Sequence, residues 1–465
     1  MRFAPLVGPE LHELLKEDPE QVRELLEEIH DEDLADLIAE LPDDEAAELL
    51  ARLPTEEAAP IFERLDDERQ AAIATELGPE STAQIAVEMS SDERADLIKE
   101  LPEEVGGQVL ASLEQIDPEA AEEAETLGQW PEHSAGSLMT TEYVSVTPLM
   151  SVSEVIQLIR RKGAEAETIY YVYALSAGKR LEGVVSLRDL LLAEPNQRVA
   201  EVMTSNVISV PPDMDQEEVA KRLAKYDLYG IPVVDTKNIL LGVITVDDVI
   251  DVLTQEQTED VQRLAGVEPL EASYFQTTFW TFIQKRATWL IILFVEEFFT
   301  GSALRHYDTV IQAVAKLSYY VPLLISTGGN SGSQSASLII RGLAVGEVKI
   351  SDWWRIAGRE LGQGIVLGLI LASVGVVRVM MWGDGPRFAV LVGGTLVAIV
   401  VMGCVVGSML PLALRRVGFD PATSSTPFIA SLVDVLGIII YFNIAQLVLA
   451  QVIQSAAGGG AGAHP

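Results

Sequence analysis

The stretch DPATSSTPFIASLVDVLGIIIYF, from Asp420 to Phe442, decides the architecture of the C-terminal half. A membrane-spanning helix needs roughly 20 mostly apolar residues, and this stretch supplies them. Asp434 nevertheless lies inside it, far from either charged flank. An ionisable side chain within a membrane helix is energetically costly, so it is expected to face water, a partner or an ion. Asp434 is therefore the first candidate functional residue.

Five apolar runs follow one another in this half of the chain. They extend from about Thr288 to Leu304, Val310 to Ile340, Ile356 to Trp382, Phe388 to Leu414 and Pro427 to Ile453. Any one of them could be a buried helix of a large soluble protein. Five in succession, joined by short polar segments, predict five membrane spans.

Lysine and arginine in the short joints predict the orientation. They cluster after the second and fourth runs, at Arg341, Lys349, Arg355, Arg359, Arg415 and Arg416. The joint WGDGPRF, between the third and fourth runs, carries fewer. Because positive loops stay inside, we expect a multi-pass protein of the cytoplasmic (inner) membrane, with the N-terminus in the cytoplasm and the C-terminus outside.

Charge divides the 465-residue chain in two. Of its 70 acidic and 32 basic residues, nine and twelve lie at or after Lys285, so 61 and 20 precede it, a formal charge of about −41 there. This balance argues against nucleic acid as a partner, since phosphate binding needs a cationic face. The lone Cys404 excludes a disulfide framework. The N-terminus has no apolar leader segment, so we expect no secretion of the acidic half.

The acidic half contains a repeat of twelve residues from Ile29 to about Ser112. Examples are LPDDEAAELLAR, LPTEEAAPIFER and LPEEVGGQVLAS. Acids at the start of each unit suit helix N-termini, and a short amphipathic helix must stack on its neighbours to bury one face. The pattern predicts a helical superhelix.

A longer repeat follows, in which Met139-Thr140-Thr141 recurs 64 residues later as Met203-Thr204-Ser205. Each copy continues into a helix, a strand (TIYYVYAL or YGIPVVD) and the ending GVVSLRDLL or GVITVDDVI. This resembles a tandem pair of CBS domains, βαββα modules that often bind adenosine nucleotides. The resemblance implies regulation rather than catalysis.

Two function classes remain, an enzyme and a regulated transporter or channel. The membrane half has no HExxH, GxSxG or Walker A motif, and His306 is its only histidine before the tail. CBS modules attached to membrane helices favour transport, and we expect no enzyme.

Two stretches of sequence narrow the class of transporter. They are YVPLLISTGGNSGSQSASLIIRGLAVGE, from Tyr320 to Glu347, and the stretch from Asp420 to Phe442 quoted above. With the preceding repeats, they resemble the MgtE-type magnesium transporters over nearly the whole chain. The resemblance implies homodimers in a lipid bilayer, with the second and fifth of five membrane helices lining the pore. The fold class is then multidomain: an all-α superhelical N domain (1–130), α/β tandem CBS domains (131–200 and 201–253), a plug helix (254–284) and an α-helical membrane domain with five transmembrane helices (285–465).

The resemblance makes Asp434 the pore carboxylate. Mg²⁺ prefers oxygen ligands and holds its waters tightly, so two copies of Asp434 across a dimer axis suit its hydrated form. The other implied pore residues are Gly329, Asn330, Ser333, Thr426 and Ala430, the last through its carbonyl. Ser333 and Thr426 stand where the family often has asparagine. The alternative for Asp434 is capping of a neighbouring helix or pairing with Lys316.

Small residues at 328–333 are expected to interrupt the second helix and expose carbonyls to the pore, although they also suit plain helix packing. Glu296 and Glu297 in the first helix have three open explanations. They could reach the outer interface, pair with Arg305 or Lys316, or form a secondary ion site.

The segment TQEQTEDVQRLAG, from Thr254 to Gly266, matches the family's plug helix. The resemblance assigns the gate and sensor ligands to Asp92, Asp96, Asp215, Glu217, the Ala224 carbonyl, Asp227, Asp248, Asp251, Glu256, Glu259, Asp260 and Asp420. Acidic faces repel one another, so cytosolic Mg²⁺ held between them would favour a closed arrangement. The alternative is that these acids only solubilise the protein or reflect a salty habitat.

ATP at the CBS pair is a further implication. Tyr171 would stack on adenine, and Arg188 with Asp189 would meet phosphate and ribose, although Tyr171 equally suits a core strand position. The alternatives to a magnesium channel are a related Co²⁺ or Mn²⁺ carrier, a cation exchanger, and a CBS-bearing anion channel, which the intramembrane Asp434 opposes.

Overall fold

Each twelve-residue unit forms one short helix in the computed structural model, which describes residues 29–163, 166–270, 274 and 277–451. The helices are α1 (Asp31–Ala39), α2 (Asp43–Leu50), α3 (Thr55–Glu63), α4 (Asp67–Leu77), α5 (Pro79–Glu88), α6 (Ser91–Glu100), α7 (Glu103–Ile116) and α8 (Pro118–Leu127). Every one has an acidic first turn, where the free N–H groups favour negative charge. A continuous apolar core runs from Leu34 to Ala121.

The next segment holds two small α/β modules. The first comprises β1 (Tyr143–Val146), α9 (Val152–Lys162), β2 (Thr168–Leu175), β3 (Leu181–Ser186) and α10 (Leu187–Leu192). A short helix, α11 (Val199–Val202), leads to the second, with α12 (Gln216–Lys225), β4 (Gly230–Val234) and β5 (Leu240–Thr245). Strand β2 pairs parallel with β1 and antiparallel with β3, and β4 pairs antiparallel with β5. In the second module the expected first strand is reduced to one parallel bridge, between Val210 and Val233.

Helix α13 (Val246–Leu264) is continuous across the predicted boundary between the second module and the plug helix at 253/254. No glycine or proline interrupts it, and it ends just before Gly266, whose φ of 75° suits a residue without a side chain. The chain divides into two compact units within this helix, Met1–Glu256 and Gln257–Pro465.

The C-terminal unit is helical. Its main helices are α14 (Phe279–His306), α15 (Asp308–Ala313), α16 (Val321–Ala344), α17 (Trp353–Trp382), α18 (Pro386–Arg416) and α19 (Thr426–Val448). Within the described residues, four helices are long and apolar enough to cross a membrane: α14, α17 with its preceding turn, α18 and α19. Helix α16 has 24 residues but is richer in glycine and serine. Five spans therefore remain a prediction, and residues 452 and 453 of the fifth run lie outside the described residues.

The prediction of one helix over the whole second run was wrong. The run divides into α15, a 3₁₀ turn from Ala315 to Tyr319, and α16. Pro322 lies in the first turn of α16, and its ring and missing N–H prevent the preceding turn from joining that helix.

The predicted interruption at 328–333 was also wrong, because α16 is helical throughout this segment. Its glycines instead allow close packing on α18. A Cβ at Gly403 would lie 2.7 Å from the Gly328 carbonyl oxygen, and one at Gly407 would overlap the Gly332 carbonyl. Small residues at intervals of four let two backbones touch, which is the packing alternative.

Candidate ion pathway and regulatory carboxylates

Asp434 faces the bare backbone of α16. A Cβ built on Gly329 would lie 3.3 Å from the Ala430 Cβ and 3.5 Å from Asp434 Oδ1. One turn along the same pair of helices, Ser333 Oγ donates a hydrogen bond to the Thr426 carbonyl oxygen over 3.3 Å. Because side chains four residues apart share a helix face, these residues form two facing stripes on α16 and α19.

Five of the six predicted pore residues are thus brought together, and Asn330 is exposed on α16 beside them. Ala430 lies within the continuous helix α19, where its carbonyl is the α-helical acceptor for the Asp434 N–H and retains a second lone pair. Ser333 uses its hydroxyl proton to join α16 to α19.

The alternative that Asp434 pairs with Lys316 was wrong. Lys316 Nζ lies 2.6 Å from Asp384 Oδ1, in the joint between α17 and α18. Helix α19 is capped by Ser425, and among the described residues no helix cap uses Asp434.

The two glutamates of α14 lie in the same region as Asp434. Glu297 is within electrostatic range of Asp434, and Glu296 Oε2 is buried without a hydrogen-bond partner. In the part of the chain that the structure describes, neither glutamate pairs with Lys316, which Asp384 holds, or with Arg305. Their role as outer-interface groups or a secondary ion site stays open at this point.

In the N-terminal unit, Asp92 and Asp248 come together. Asp248 lies in the first turn of α13 and accepts hydrogen bonds from the Thr245 hydroxyl (2.6 Å) and N–H (3.2 Å). Asp92, in the first turn of α6, has a buried Oδ1 without a partner. Burial, with the Asp248 carboxylate second, raises the pKa of Asp92 well above its usual range, and burial raises that of Asp248.

Two acids that the sequence reasoning missed belong to the same group. Burial and neighbouring carboxylates raise the pKa of Glu93 to about 8 and that of Glu167 to about 7. Burial likewise raises the pKa of Asp96 to about 6, against the opposing effect of Lys99. The position of Glu93 next to Asp92 in an acidic first turn was a usable signal. Glu167 precedes β2 in a loop and gave none.

The other predicted sensor residues of the second module have separate local contacts. Asp215 caps α12 by accepting from the Glu217 N–H over 3.0 Å, and Glu217 pairs with Lys221 at 2.8 Å. Ala224, Asp227 and Asp251 are exposed. No three acidic, histidine or cysteine side chains among the described residues are close enough to hold a metal ion.

The predicted plug acids have basic or amide partners. Glu256 accepts from the Gln216 side chain over 2.8 Å in the N-terminal unit. In the C-terminal unit, Arg263 lies 2.9 Å from Glu259 and 2.6 Å from Asp420. Sequence reasoning missed Arg263, although its spacing of four from Glu259 is typical of a helical ion pair. Asp260 lies half-buried on the same helix.

At the predicted nucleotide position, Tyr171 pairs with Ser186 across β2 and β3 and packs half-buried against the cluster around Tyr173. Asp189 accepts from the Ser186 hydroxyl over 2.6 Å, and Arg188 is exposed. The half-buried ring of Tyr171 is compatible both with a core strand position and with stacking on a ligand, and Asp189 lies one helical turn from its strand partner Ser186.

Comparisons with known proteins agree with this architecture. Residues 321–444 match the MgtE model described as a divalent cation transporter, residues 11–58 and 29–133 match the MgtE intracellular N domain, and residues 135–196 and 199–255 match CBS domains. The predicted fold class, with a helical N domain, tandem CBS domains and a C-terminal domain of apolar helices, is confirmed.

Curated relatives include the magnesium transporter MgtE of Thermus thermophilus, 45% identical over 334 residues, which cover 72% of this chain and 74% of the relative. That of Enterococcus faecalis is 34% identical over 336 residues, 71% and 72% of the two chains. The soluble part of a magnesium transporter matches with 33% identity and a TM-score of 0.50, over 53% of this chain and 97% of that one. The cytosolic domain of the Mg²⁺ channel MgtE in complex with ATP matches with 41% identity and a TM-score of 0.50, over 54% and 100%. The chain belongs to the MgtE family.

Proposed function

We propose that the protein is a magnesium-selective, channel-like transporter of the cytoplasmic membrane that cytosolic Mg²⁺ closes. The observation that carries the proposal is Asp434, a carboxylate within an apolar helix, which lies against the backbone of α16 at Gly329, with Ala430 one turn before it. Gly329 and Ala430 have the smallest side chains, which suits a site for an ion that keeps its waters. The relatives at 45% and 34% identity are named magnesium transporters, which supports Mg²⁺ as the substrate.

In the proposed pore, Asp434 attracts Mg²⁺ through the hydration shell, since Mg²⁺ dehydrates reluctantly. Two copies in a homodimer would offer two carboxylates, with carbonyl and hydroxyl oxygens from the Gly329 to Ser333 and Thr426 to Ala430 stripes around them. The lipid bilayer surrounds the apolar helices, and nucleic acid is no partner of so acidic a chain.

The proposed gate uses the carboxylates described above. Asp92 and Asp248 repel one another when both are ionised, so a dication between them favours the compact arrangement of the N-terminal unit. Ligands from the second CBS module and from the plug segment of α13 would complete the sensor. Because Mg²⁺ binds the closed state better, high cytosolic Mg²⁺ shifts the population towards closure.

ATP is a second proposed ligand, at Tyr171, Arg188 and Asp189 of the first CBS module. The support is the relative whose cytosolic domain was solved in complex with ATP. Equilibrium binding of ATP to the full chain, compared with Asp189→Ala, tests this assignment. Undiminished binding by the variant would remove it.

The transport proposal is tested by cation flux into liposomes that contain the purified chain. We expect Mg²⁺ flux to fall at least about tenfold in Asp434→Asn and to be partly retained in Asp434→Glu, which keeps the charge. Asp352→Asn, in the turn before α17, is the matched control. Normal Mg²⁺ flux in Asp434→Asn would contradict the pore assignment.

Parallel assays with Co²⁺ and Mn²⁺ distinguish the related divalent carrier. Dependence of the flux on a counter-gradient of another cation would indicate an exchanger.

A further inference from the structure

The last turn of α13, in the predicted plug segment, contains one basic residue, Arg263. Arg263 bridges Glu259 on the same helix and Asp420 at the turn before α19, at 2.9 and 2.6 Å. We propose, resting on the proposed function, that Arg263 is a tethered counter-ion that holds the plug against α19 without Mg²⁺, and that Mg²⁺ competes with it for Glu259 and Asp420.

The geometry of Asp420 supports this role. Its Oδ1 accepts from the Ala422 N–H over 2.8 Å, as the cap of a short 3₁₀ turn, and its Oδ2 accepts from Arg263. Both oxygens therefore have donors while the helix end is docked. A dication that uses Asp420 must displace or weaken the guanidinium contact.

Apolar contacts beside the ion pair fix where the arginine lies. Leu264 packs against the cluster that contains Ala422, Ile429 and Val433. A Cβ on Gly266 would be 3.4 Å from Ser425 Oγ and 3.7 Å from Ser425 Cβ. The helix end thus rests on the first turns that lead into α19, and Arg263 adds a directed charge contact to that packing.

Charge explains why the two cations are alternatives. Glu259 and Asp420 contribute two negative charges, of which one guanidinium balances only one, whereas Mg²⁺ balances both. The arginine contact is pre-organised on the helix, so it needs no ion from solution. In the wild type, Arg263 therefore contributes to closure at low Mg²⁺, and it weakens the binding of Mg²⁺ to Glu259 and Asp420.

Flux through the full chain in planar bilayers, with Mg²⁺ supplied only on the outer side, measures the tether. We expect Arg263→Gln to raise the initial flux into an Mg²⁺-free cytosolic side about two- to fivefold, as loss of a half-exposed ion pair suggests. The same variant should then be inhibited by a lower cytosolic Mg²⁺ concentration, because the competitor is gone. Arg263→Lys keeps the charge and should lie nearer the wild type.

Arg355→Gln, which removes an exposed arginine from α17, is the matched control and should change neither quantity. An unchanged initial flux in Arg263→Gln overturns the proposal. A raised flux with weaker Mg²⁺ inhibition also overturns it, because Arg263 would then assist Mg²⁺ instead of competing. A wild-type chain that passes no Mg²⁺ would be a failure of the proposed function, distinct from both.

Amide hydrogen exchange reports docking independently of transport. The N–H groups of Ala265 and Gly266 donate to the carbonyl oxygens of Val261 and Arg263 at the end of α13, so their exchange reports release of this helix end. Without Mg²⁺, we expect Arg263→Gln to speed exchange there at least twofold and added Mg²⁺ to slow it again. Equal exchange rates with and without Arg263 would show that apolar packing alone holds the helix, against the proposal. Arg355→Gln should leave the exchange rate unchanged.

Discussion

Helix α13 takes part in two groups of carboxylates, and only one of them includes a base that contacts both acids. Near its start, Asp248 meets Asp92 and Glu93, and the pKa values of these acids are raised. At its end, Glu259 and Asp420 share Arg263. The first group is held together against its own charge, whereas the second carries an internal counter-ion. The first group therefore needs a cation from solution to balance its charge, whereas the second group already has Arg263.

The largest expected effect concerns the first group. Asp92→Asn with Asp248→Asn should raise the cytosolic Mg²⁺ concentration for half-inhibition of flux roughly tenfold or more, as loss of ligand charge typically does. Asparagine keeps the acceptor for Thr245, so the start of α13 should survive. The measurement is an Mg²⁺ titration of flux, with Asp33→Asn, at an exposed position of α1, as control. An unshifted titration would remove these acids from the sensor.

A pH scan of the N-terminal unit without divalent cations should give the next largest effect. Carboxyls with folded pKa values raised to about 6, 7 and 8 hold protons that the unfolded chain has lost. This stability is fully present below the unfolded pKa values of 3.8 to 4.5, and it is lost as the pH rises from there through 6 to 8. We expect the melting temperature of residues 1–256 to fall by several degrees, about 5 °C, between pH 5.5 and 8.5.

The double variant Asp92→Asn with Asp248→Asn is the control for the pH scan. It should flatten the dependence, because fewer acids then titrate against one another. A melting temperature that rises with pH in the wild type would contradict the arrangement of this group.

Monovalent salt should stabilise the first group and weaken the second, and these are the smallest of the expected effects. Monovalent salt screens repulsion among Asp92, Glu93 and Asp248, and should raise the melting temperature of the divalent-free N-terminal unit by one or two degrees, roughly. The same salt weakens the attraction between Arg263 and Asp420, and should raise Mg²⁺-free flux by less than about twofold. In the full chain, Arg263→Gln should lose the flux response to salt, whereas the melting response belongs to residues 1–256 and does not involve position 263. A fall in either the melting temperature or the Mg²⁺-free flux would break the comparison.

Asp434 could be predicted from the sequence because an ionisable residue within an apolar run stands out, whereas the other pore residues were assigned through the resemblance to MgtE-type transporters. A spacing of four places residues 426, 430 and 434 on one face of α19, and 329 and 333 on one face of α16, but it does not say that the two faces meet. The Arg263–Asp420 contact could not be found this way, since 157 residues separate the partners. Glu167 joins its group from a loop, where spacing predicts nothing.

The break before α16 and the continuous helix through 328–333 show that composition alone does not predict where a helix is interrupted. Pro322 was a usable signal for the start of a helix, and it was missed. Glycine allows both a helix interruption and close packing of two helices, so the residues of the neighbouring helix determine which of the two occurs. The matching interval of four, Gly328 and Gly332 against Gly403 and Gly407, was present in the sequence and favours packing.

That backbone contact has a mechanical consequence. Where the Gly332 carbonyl touches Gly407, no side chain lies between α16 and α18 to rotate or yield, so the two helices are expected to move as one rigid lever. Between α16 and α19, by contrast, side chains make the contact: Ile429 and Val433 lie against Gly328 and Gly332, and Ser333 donates a hydrogen bond to the Thr426 carbonyl oxygen. Any widening around Asp434 would therefore arise from α19 sliding along this lever, with α16 and α18 staying locked together.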